Sequence, residues 1–139
     1  MADKRLRLEI VTPQRHLAYE EVVSCSAPGV LGYFQILPDH TEFVSELTIG
    51  EIKVEFSDHT KFFATTGGFL EVVNNRVLLL LEACEAAEEI DIDRALRALE
   101  RAKRRLQEQS PDVDLMRARA ALLRATNRLK IAQKLSLAV

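Results

Sequence analysis

The pattern of the chain changes across residues 85–95, which read Glu85-Ala86-Ala87-Glu88-Glu89-Ile90-Asp91-Ile92-Asp93-Arg94-Ala95. Before this stretch, apolar residues recur at every second position, which is typical of half-buried strands. After it, they recur at every third or fourth position, which is typical of amphipathic helices. The stretch also has the features of a helix start, because Asp91 and Asp93 can accept hydrogen bonds from the free N–H groups of a first turn.

The sign of the charge changes at the same place. Residues 1–93 contain 7 Lys/Arg and 17 Asp/Glu, a net charge of −10, whereas residues 94–139 contain 12 and 4, a net charge of +8. The whole chain is therefore close to neutral, at −2. An acidic part joined to a basic part indicates a binding partner more than it indicates a particular fold.

The N-terminal part predicts a series of short strands. The first covers residues 3–12, where Leu6, Leu8 and Ile10 alternate with charged residues. Others are predicted at residues 16–19, 22–27, 33–37, 51–56, 61–65, 69–73 and 76–83. Between them lie turn signals at residues 28–32, 38–40, 57–59, 67–68 and 74–75, the last being the hairpin dipeptide Asn-Asn. Many short strands at this spacing predict an antiparallel sandwich or a flattened barrel.

The C-terminal part predicts two helices that pack as an antiparallel hairpin. Apolar residues step by three and four along Ile92, Ala95, Leu99, Ala102 and Leu106, and again along Leu115, Ala118, Leu122, Ala125, Leu129 and Ala132. Large and small residues alternate, so that Leu of one helix can lie over Ala of the other. The turn is predicted at residues 109–112, with Pro111 ending the first helix and Ser110 or Asp112 capping the second. Because alanines bury little apolar area, we expect modest packing energy and a movable hairpin.

The sequence contains few of the features of an enzyme. There is no GxxxxGK[ST], GxSxG or HExxH motif, and His16, His40 and His59 are scattered without metal-ligand spacing. Cys25 and Cys84 have no CxxC spacing, which predicts buried, reduced thiols in a cytosolic compartment. We also expect no membrane-spanning run, signal peptide or transit peptide. An independent hydrolase is therefore the least supported function.

The arginines of the helical part are the remaining candidates for a site. Arg94 and Arg101 share one face of the first helix, and Arg117, Arg124 and Arg128 share one face of the second. Such a set can bind phosphates, because guanidinium groups match phosphate oxygens. The same residues can equally form the solvated outer face of a hairpin. A β-sandwich adaptor whose basic hairpin binds nucleic acid is an alternative function, although interleaved aromatic residues and a recognition motif are missing.

Three motifs in order resemble a known family over essentially the whole chain. They are Pro28-Gly29-Val30-Leu31-Gly32-Tyr33-Phe34-Gln35-Ile36-Leu37-Pro38-Asp39-His40, then Gly67-Gly68-Phe69-Leu70-Glu71-Val72 with Asn75 and Val77, and then Ala87-Glu88-Glu89-Ile90-Asp91 before a hairpin that closes with Asn127-Arg128-Leu129. Together they resemble the epsilon subunit of bacterial and chloroplast F-type ATP synthases. Family members often have Gly in place of Gln35 and Asp39, and Ala-Pro in place of Thr41-Glu42.

The resemblance implies a non-catalytic subunit of the central stalk. Its fold would be α+β, with a β-sandwich over residues 1–87 and a regulatory helical hairpin over residues 88–139. The sandwich would link the gamma subunit to the c-ring, with Val30, Leu31 and His40 as contact candidates, although a structural role for His40 is equally open. The hairpin would inhibit ATP hydrolysis by extending towards the catalytic alpha and beta subunits, whose acidic region suits basic residues such as Arg104 and Arg105. The subunit would reach the cytoplasmic face of the bacterial inner membrane only through the complex, and would bind no nucleic acid.

Some family members bind regulatory ATP through an Ile-Asp-x-x-Arg-Ala motif, which resembles Ile90-Asp91-Ile92-Asp93-Arg94-Ala95. The resemblance extends that site to Glu85, Arg101, Arg117, Arg124 and Arg128. It implies that Glu85, Asp91 and backbone near Ile90 and Ala95 meet the adenine and that the arginines meet the phosphates. The ATP would not be hydrolysed and would favour the folded hairpin, and no other cofactor is expected. Alternatively, Asp91 and Arg94 form only a helix cap and an i, i+3 ion pair.

Overall fold

The computed structural model describes residues 4–108 and 114–137, and at residues 136–137 the backbone alone. The chain divides into two compact units at the Glu85–Ala86 bond. The first unit consists of β-strands, and the second contains a short 3₁₀ helix and two α-helices. The predicted α+β class, a β-sandwich followed by a helical region, is confirmed.

Nine strands form one continuous hydrogen-bonded sheet that folds into the sandwich. They are β1 (Leu6–Val11), β2 (His16–Gly29), β3 (Gly32–Ile36), β4 (Phe43–Leu47), β5 (Gly50–Phe56), β6 (Thr60–Thr65), β7 (Gly68–Val73), β8 (Arg76–Leu81) and β9 (Cys84–Ala86). Their order is β1-β8-β7-β4-β2-β5-β6-β9, and β3 pairs with β2. The β4 and β9 strands were not predicted, because five and three residues are too short to show a clear alternation.

The β2 strand pairs with different strands along its two halves. Its first half pairs with β1 from His16 to Val22, and its second half pairs with β3 and β5 up to Gly29. Glu21 lies between the halves at a φ of 59°, where the register of the β1–β2 pairing shifts. The register of the β2–β5 pairing shifts just after it, between Val22 and Ser24. The prediction of two separate strands here was wrong, since a bulge bends the strand without ending it.

The β1 strand lies between two partners of opposite direction. It runs antiparallel to β2 and parallel to β8, with Arg7 opposite Arg76 and Val11 opposite Leu80. The other described pairings with a defined register are antiparallel. A local alternation pattern indicates which residues face inward, but it does not indicate this parallel pair.

Two of the predicted turns have the backbone conformation that their residues favour. Asn74 and Asn75 lie at φ 48° and 61° and join β7 to β8 as a two-residue hairpin. Gly67 precedes β7 and Gly68 is its first residue, and they lie at φ 123° and 147°. Few residues other than glycine adopt these backbone angles. The loop predicted over residues 28–32 is narrower than expected, because Gly29 pairs with Gly32 and leaves Val30 and Leu31 as the turn.

The core of the sandwich follows the alternation of the sequence. Fully buried side chains include Leu6, Leu8 and Ile10 of β1, Ile52 and Val54 of β5, Phe63 of β6, Leu70 and Val72 of β7, and Leu79 of β8. Cys25 is also buried and free, and burial raises the pKa of its thiol to about 12. Cys84 is half-buried, so the prediction that its thiol is buried was wrong. The Cys25 thiol therefore acts as a small apolar core residue.

The second unit begins with a 3₁₀ helix (Ala87–Glu89) and continues into α1 (Ile92–Gln107) and α2 (Leu115–Leu137). The two α-helices pack on each other, and their short connection makes them antiparallel. Their buried residues include Ala95 and Ala102 of α1 and Ala118, Ala125 and Ala132 of α2, which we call the alanine stripe. The predicted alternation is confirmed for Leu99, Leu106, Leu122 and Leu129, which are half-buried. It was wrong for Ile92 and Leu115, which are 51% and 45% exposed because they lie in the first turns of the two helices.

The start of α2 differs from the prediction. The turn residues 109–112, including Ser110, Pro111 and Asp112, lie outside the described residues. The cap is Asp114, whose Oδ1 accepts from the Arg117 N–H at 3.1 Å. The helical pattern also missed Ile131, which is buried although it lies away from the alanine stripe.

Candidate functional site

An apolar turn projects from the tip of the β2–β3 hairpin. Leu31 is 102% exposed and Val30 is 51% exposed. The backbone of the turn is nevertheless fixed, because the Val30 N–H donates to the Glu46 carbonyl at 3.1 Å and the Thr48 N–H donates to the Pro28 carbonyl at 2.9 Å. Exposed apolar side chains on an ordered backbone are typical of a contact surface for another protein.

His40 lies in the loop between β3 and β4 and is half-buried. Its ring lies 5.5 Å from the Phe43 ring, edge to face, and its Nδ1 is 2.7 Å from the Thr41 carbonyl. The Phe43 ring in turn packs against Phe34 of β3. His40 therefore has structural contacts in the sandwich, and a part of its side chain remains accessible.

A further apolar surface lies on the outer face of β4, β7 and β8. Val44, Phe69 and Leu80 are 68%, 52% and 47% exposed. Phe69 lies opposite both Glu46 and Leu80, and Val44 lies opposite Glu71, so acidic residues border the apolar ones. We call these three residues the outer-sheet patch. Sequence reasoning missed it, although the runs Phe69-Leu70 and Leu78–Leu81 place apolar residues at both phases of the strand period.

The helix start carries the residues of the Ile-Asp-x-x-Arg-Ala motif. Asp91 caps α1, since its Oδ1 accepts from the Arg94 N–H at 3.1 Å. Ile90 before it is extended and 8% exposed, and Ala95 is buried in the alanine stripe. Asp93 lies in the first turn, where its negative charge suits the positive end of the helix. The prediction that Asp91 is the helix cap is confirmed.

The arginines flank the alanine stripe on both helices. At about 100° per residue, Arg94 and Arg101 lie roughly 80–120° to one side of the α1 stripe, and Arg117 and Arg124 lie by the same angle to the same rotational side of the α2 stripe. Arg128 lies on that side too, about 40–60° from the nearest stripe residues. Equal offsets in two antiparallel helices fall on one side of the pair, because a two-fold axis perpendicular to both helices relates them. The hairpin therefore gathers both arginine sets on one face, which we call the arginine face.

Most of the arginine face is open to a ligand. The Arg94, Arg101, Arg117 and Arg124 side chains are exposed and form no ion pair with a described residue, whereas Arg128 is half-buried and has a partner. Glu85, the remaining residue of the predicted set, is half-buried in β9 of the first unit, and its role stays a prediction.

Arg104 and Arg105 occupy different sides of α1. Both are exposed and close the last turn of the helix, where positive charge suits the negative end. Arg104 lies about 180° from the alanine stripe, and Arg105 lies about 80° from it, on the arginine face. Single substitutions can therefore separate the outer side of the hairpin from the arginine face.

Other chemistry finds little support among the described residues. No three His, Cys, Asp or Glu side chains in residues 4–108 and 114–135 group as a metal site. His59 stacks on Phe56 and lies 2.7 Å from Asp58, which holds the pKa of that carboxyl below its usual value. Of the described helices, none combines the length and apolar character needed to cross a membrane.

Comparison with family models covers both units. Residues 5–87 match the beta-sandwich domain of the ATP synthase delta/epsilon chain, and residues 88–133 match the long alpha-helix domain of the same chain. This combination of a sandwich and a helical domain defines the class of protein. The chain belongs to the ATP synthase delta/epsilon chain family, and within it to the relatives named ATP synthase epsilon chain.

Three of these relatives illustrate the match, and each is named ATP synthase epsilon chain. The Carboxydothermus hydrogenoformans protein is 49% identical over 111 residues, which cover 80% of this chain and 82% of the relative. The protein of Nitratidesulfovibrio vulgaris strain DP4 is 44% identical over 129 residues, covering 93% and 96%. The Syntrophobacter fumaroxidans protein is 44% identical over 134 residues, covering 96% and 99%.

Two solved structures have the same fold at low identity. A chain of the Euglena gracilis mitochondrial ATP synthase, described as OSCP/F1/c-ring in rotational state 1, has a TM-score of 0.70 at 22% identity and covers 96% of this chain and 81% of its own length. A chain of the Tetrahymena thermophila mitochondrial ATP synthase, described as central stalk/cring, has a TM-score of 0.60 at 14% identity, covering 98% and 99%. These similarities support the fold alone.

Proposed function

We propose that this chain is the non-catalytic subunit of the ATP synthase central stalk that links the gamma subunit to the c-ring and restrains ATP hydrolysis through its hairpin. The observation that carries the proposal is the family match, which covers the sandwich and the helical domain in order. The two structural neighbours come from assemblies described with a c-ring, and one of them with the central stalk. In this proposal the chain lies peripherally at the cytoplasmic face of a bacterial inner membrane.

A subunit that links two partners needs two separate contact surfaces, and the sandwich offers two. The turn at Val30 and Leu31 lies at the tip of the β2–β3 hairpin, and we assign it to the c-ring, together with the accessible part of His40. The outer-sheet patch of Val44, Phe69 and Leu80 lies on strand faces, and we assign it to gamma. Burial of such apolar residues contributes about 25 cal/mol for each Å² removed from water.

The hairpin suits a regulatory element because its fully buried seam consists largely of alanines. The alanine stripe permits close approach of α1 and α2 but buries little apolar area, so a modest gain elsewhere can open it. Arg104 and Arg105 are exposed and would bind an acidic region of the catalytic subunits in the extended form. That contact would block hydrolysis.

The arginine face supports a proposal that ATP is a regulatory ligand. Four exposed arginines lie on one side of the folded hairpin. Their guanidinium groups would bind the phosphates, with Asp91 at the nucleobase. Separate or extended helices would divide these arginines into two groups. ATP would then bind the folded form more tightly and shift the population towards it, without being hydrolysed.

Co-purification of the tagged chain with the stalk complex tests the proposal. We expect retention of gamma and of the c-ring, a lower retention of the c-ring with Leu31→Ser, and a lower retention of gamma with Val44→Ser. Each variant is the control for the other, because both replace an exposed apolar side chain and cost little folding stability. A tagged chain that retains neither partner would contradict the proposed function.

A further inference from the structure

The loop that carries His40 is tied to a distant turn by a reciprocal pair of hydrogen bonds. Asp39 lies in the left-handed region at φ 67°, and its N–H donates to Oδ1 of Asn75 at 2.6 Å. Nδ2 of Asn75 donates back to Oδ1 of Asp39 at 3.3 Å. The two residues are 36 positions apart, so the pair joins the β3–β4 loop to the β7–β8 turn.

Two more contacts connect this pair to the N-terminal segment. The Lys4 ammonium lies 3.2 Å from each oxygen of the Asp39 carboxylate. The Arg7 N–H donates to the Asn75 carbonyl at 2.9 Å, which anchors the turn on β1. Lys4 and then Asn75 hold the pKa of the Asp39 carboxyl below its usual value. We call Lys4, Asp39 and Asn75 the polar clasp.

The described contacts of His40 lie within its own loop and at the start of β4. Its N–H donates to the Leu37 carbonyl at 3.1 Å, and its ring meets Thr41 and Phe43. Leu37 is 49% exposed. The contact between this loop and the far turn is therefore made at Asp39, directly beside His40.

We propose that Asn75 is a positioning residue for the partner-binding loop, acting through Asp39 to hold Leu37 and His40 in the orientation that a stalk partner binds. The inference rests on the proposed function, because it takes this loop to be a contact surface. A loop that is ordered in the free protein loses less conformational entropy when its partner binds. Removal of the clasp should therefore weaken binding without removing any residue that touches the partner.

The β7–β8 turn offers a matched pair of variants. Asn74 and Asn75 both lie at positive φ, 48° and 61°, which glycine adopts readily, so Asn74→Gly and Asn75→Gly both preserve the turn. Asn75→Gly alone removes the hydrogen bonds to Asp39. We expect Asn75→Gly to speed amide exchange at Asp39 and His40 and to weaken binding to the purified gamma–c-ring subcomplex, each roughly fivefold. Asn74→Gly should leave both quantities unchanged.

Two variants at the other end of the clasp complete the test. Asp39→Gly keeps the left-handed conformation and the hydrogen bond from the backbone N–H to Asn75, and it removes only the carboxylate that Asn75 and Lys4 contact. We therefore expect Asp39→Gly to change exchange and binding in the same direction as Asn75→Gly, by a smaller factor. Asp39→Asn keeps a side-chain oxygen that can accept the hydrogen bond from the Asn75 amide. This variant should bind the subcomplex nearly as tightly as the wild type does. Binding is compared at a temperature where every variant is fully folded, so that a loss of stability alone does not change it.

The outcomes separate this inference from the proposed function. A wild-type chain that does not bind the subcomplex would overturn the proposed function and the inference with it. A wild-type chain that binds, with Asn75→Gly binding as tightly as Asn74→Gly, would overturn the inference and leave the proposed function standing. Faster exchange and weaker binding with both Asn75→Gly and Asp39→Gly would support it.

Discussion

Asp91 and Asp114 cap the two helices of the hairpin with the same geometry, and this makes the proposed ATP contact of Asp91 testable. Each carboxylate accepts from the N–H three residues ahead at 3.1 Å. Replacing either aspartate with alanine removes one cap and should destabilise its helix by roughly 0.5–2 kcal/mol. Under the proposed function, Asp91 alone also contacts the ligand.

Loss of the contact between Asp91 and ATP should weaken ATP binding more than loss of the helix cap does. A hydrogen bond to a charged group contributes about 1.5–3 kcal/mol, which corresponds to roughly a 10- to 150-fold change in affinity. Asp91→Ser retains the cap, because serine caps as well as aspartate, but removes the carboxylate. We therefore expect Asp91→Ser to keep the helix content and thermal stability of the wild type and to bind ATP more weakly.

Calorimetry of the full chain with ATP, at millimolar ligand and moderate salt, measures the affinity, and circular dichroism measures the helix content. Asp114→Ala shows how much affinity is lost when helix loosening acts alone. If Asp91→Ser binds ATP as the wild type does, and Asp91→Ala loses no more than Asp114→Ala, then Asp91 is a cap and nothing more. If the wild type gives no heat at all, the ATP proposal itself is refuted.

Three other perturbations test other parts of the proposal. Residues 1–87 alone should fold and assemble with gamma, and a complex that contains this truncated chain should hydrolyse ATP faster than the intact complex. Failed assembly or an unchanged rate of hydrolysis would contradict the proposed roles of the two units. Arg104→Glu and Arg105→Glu should both weaken the inhibition of ATP hydrolysis, and the effect should shrink with added salt. Arg105→Glu alone should also weaken ATP binding. If both variants inhibit fully at low salt, the electrostatic account is excluded. The depressed pKa of Asp39 means that its contribution to stability is present above the ordinary value of 3.8 and is lost as the pH falls through the lower folded value. The free energy of unfolding, measured with urea between about pH 5 and about pH 2, should fall more in the wild type than in Asp39→Asn or Lys4→Ala. Equal decreases in the three proteins would show that the ion pair contributes nothing to stability.

Local chemistry predicted the features that depend on neighbouring residues. The Asn74-Asn75 hairpin and the cap at Asp91 each follow from a few consecutive positions, and the alanine stripe follows from the spacing within each helix. All three are found in the structure. The family motifs added what periodicity alone could not supply, which is the identity of the chain's relatives.

Features that depend on distant residues could not be read from the sequence. The pairing of β1 with β8 and the continuity of β2 past Glu21 depend on which strands meet in space, and alternation carries no information about that. The polar clasp is of the same kind, because nothing near Asp39 indicates that Asn75 is its partner. The outer-sheet patch was missed because its apolar residues occupy the phase that the strand pattern assigns to solvent.

The position of β1 between β2 and β8 also has a consequence for how the protein folds during synthesis. β1 is synthesised well before its parallel partner, which ends at Leu81, so a chain that is still being translated leaves one edge of β1 empty until most of the sandwich has emerged. Contacts between residues so far apart close slowly, whereas α1 and α2 are local and form fast. An unpaired strand edge exposed for that interval is a place where two nascent chains can pair. The sandwich therefore depends on its later strands for protection against aggregation, and the hairpin is synthesised after those strands.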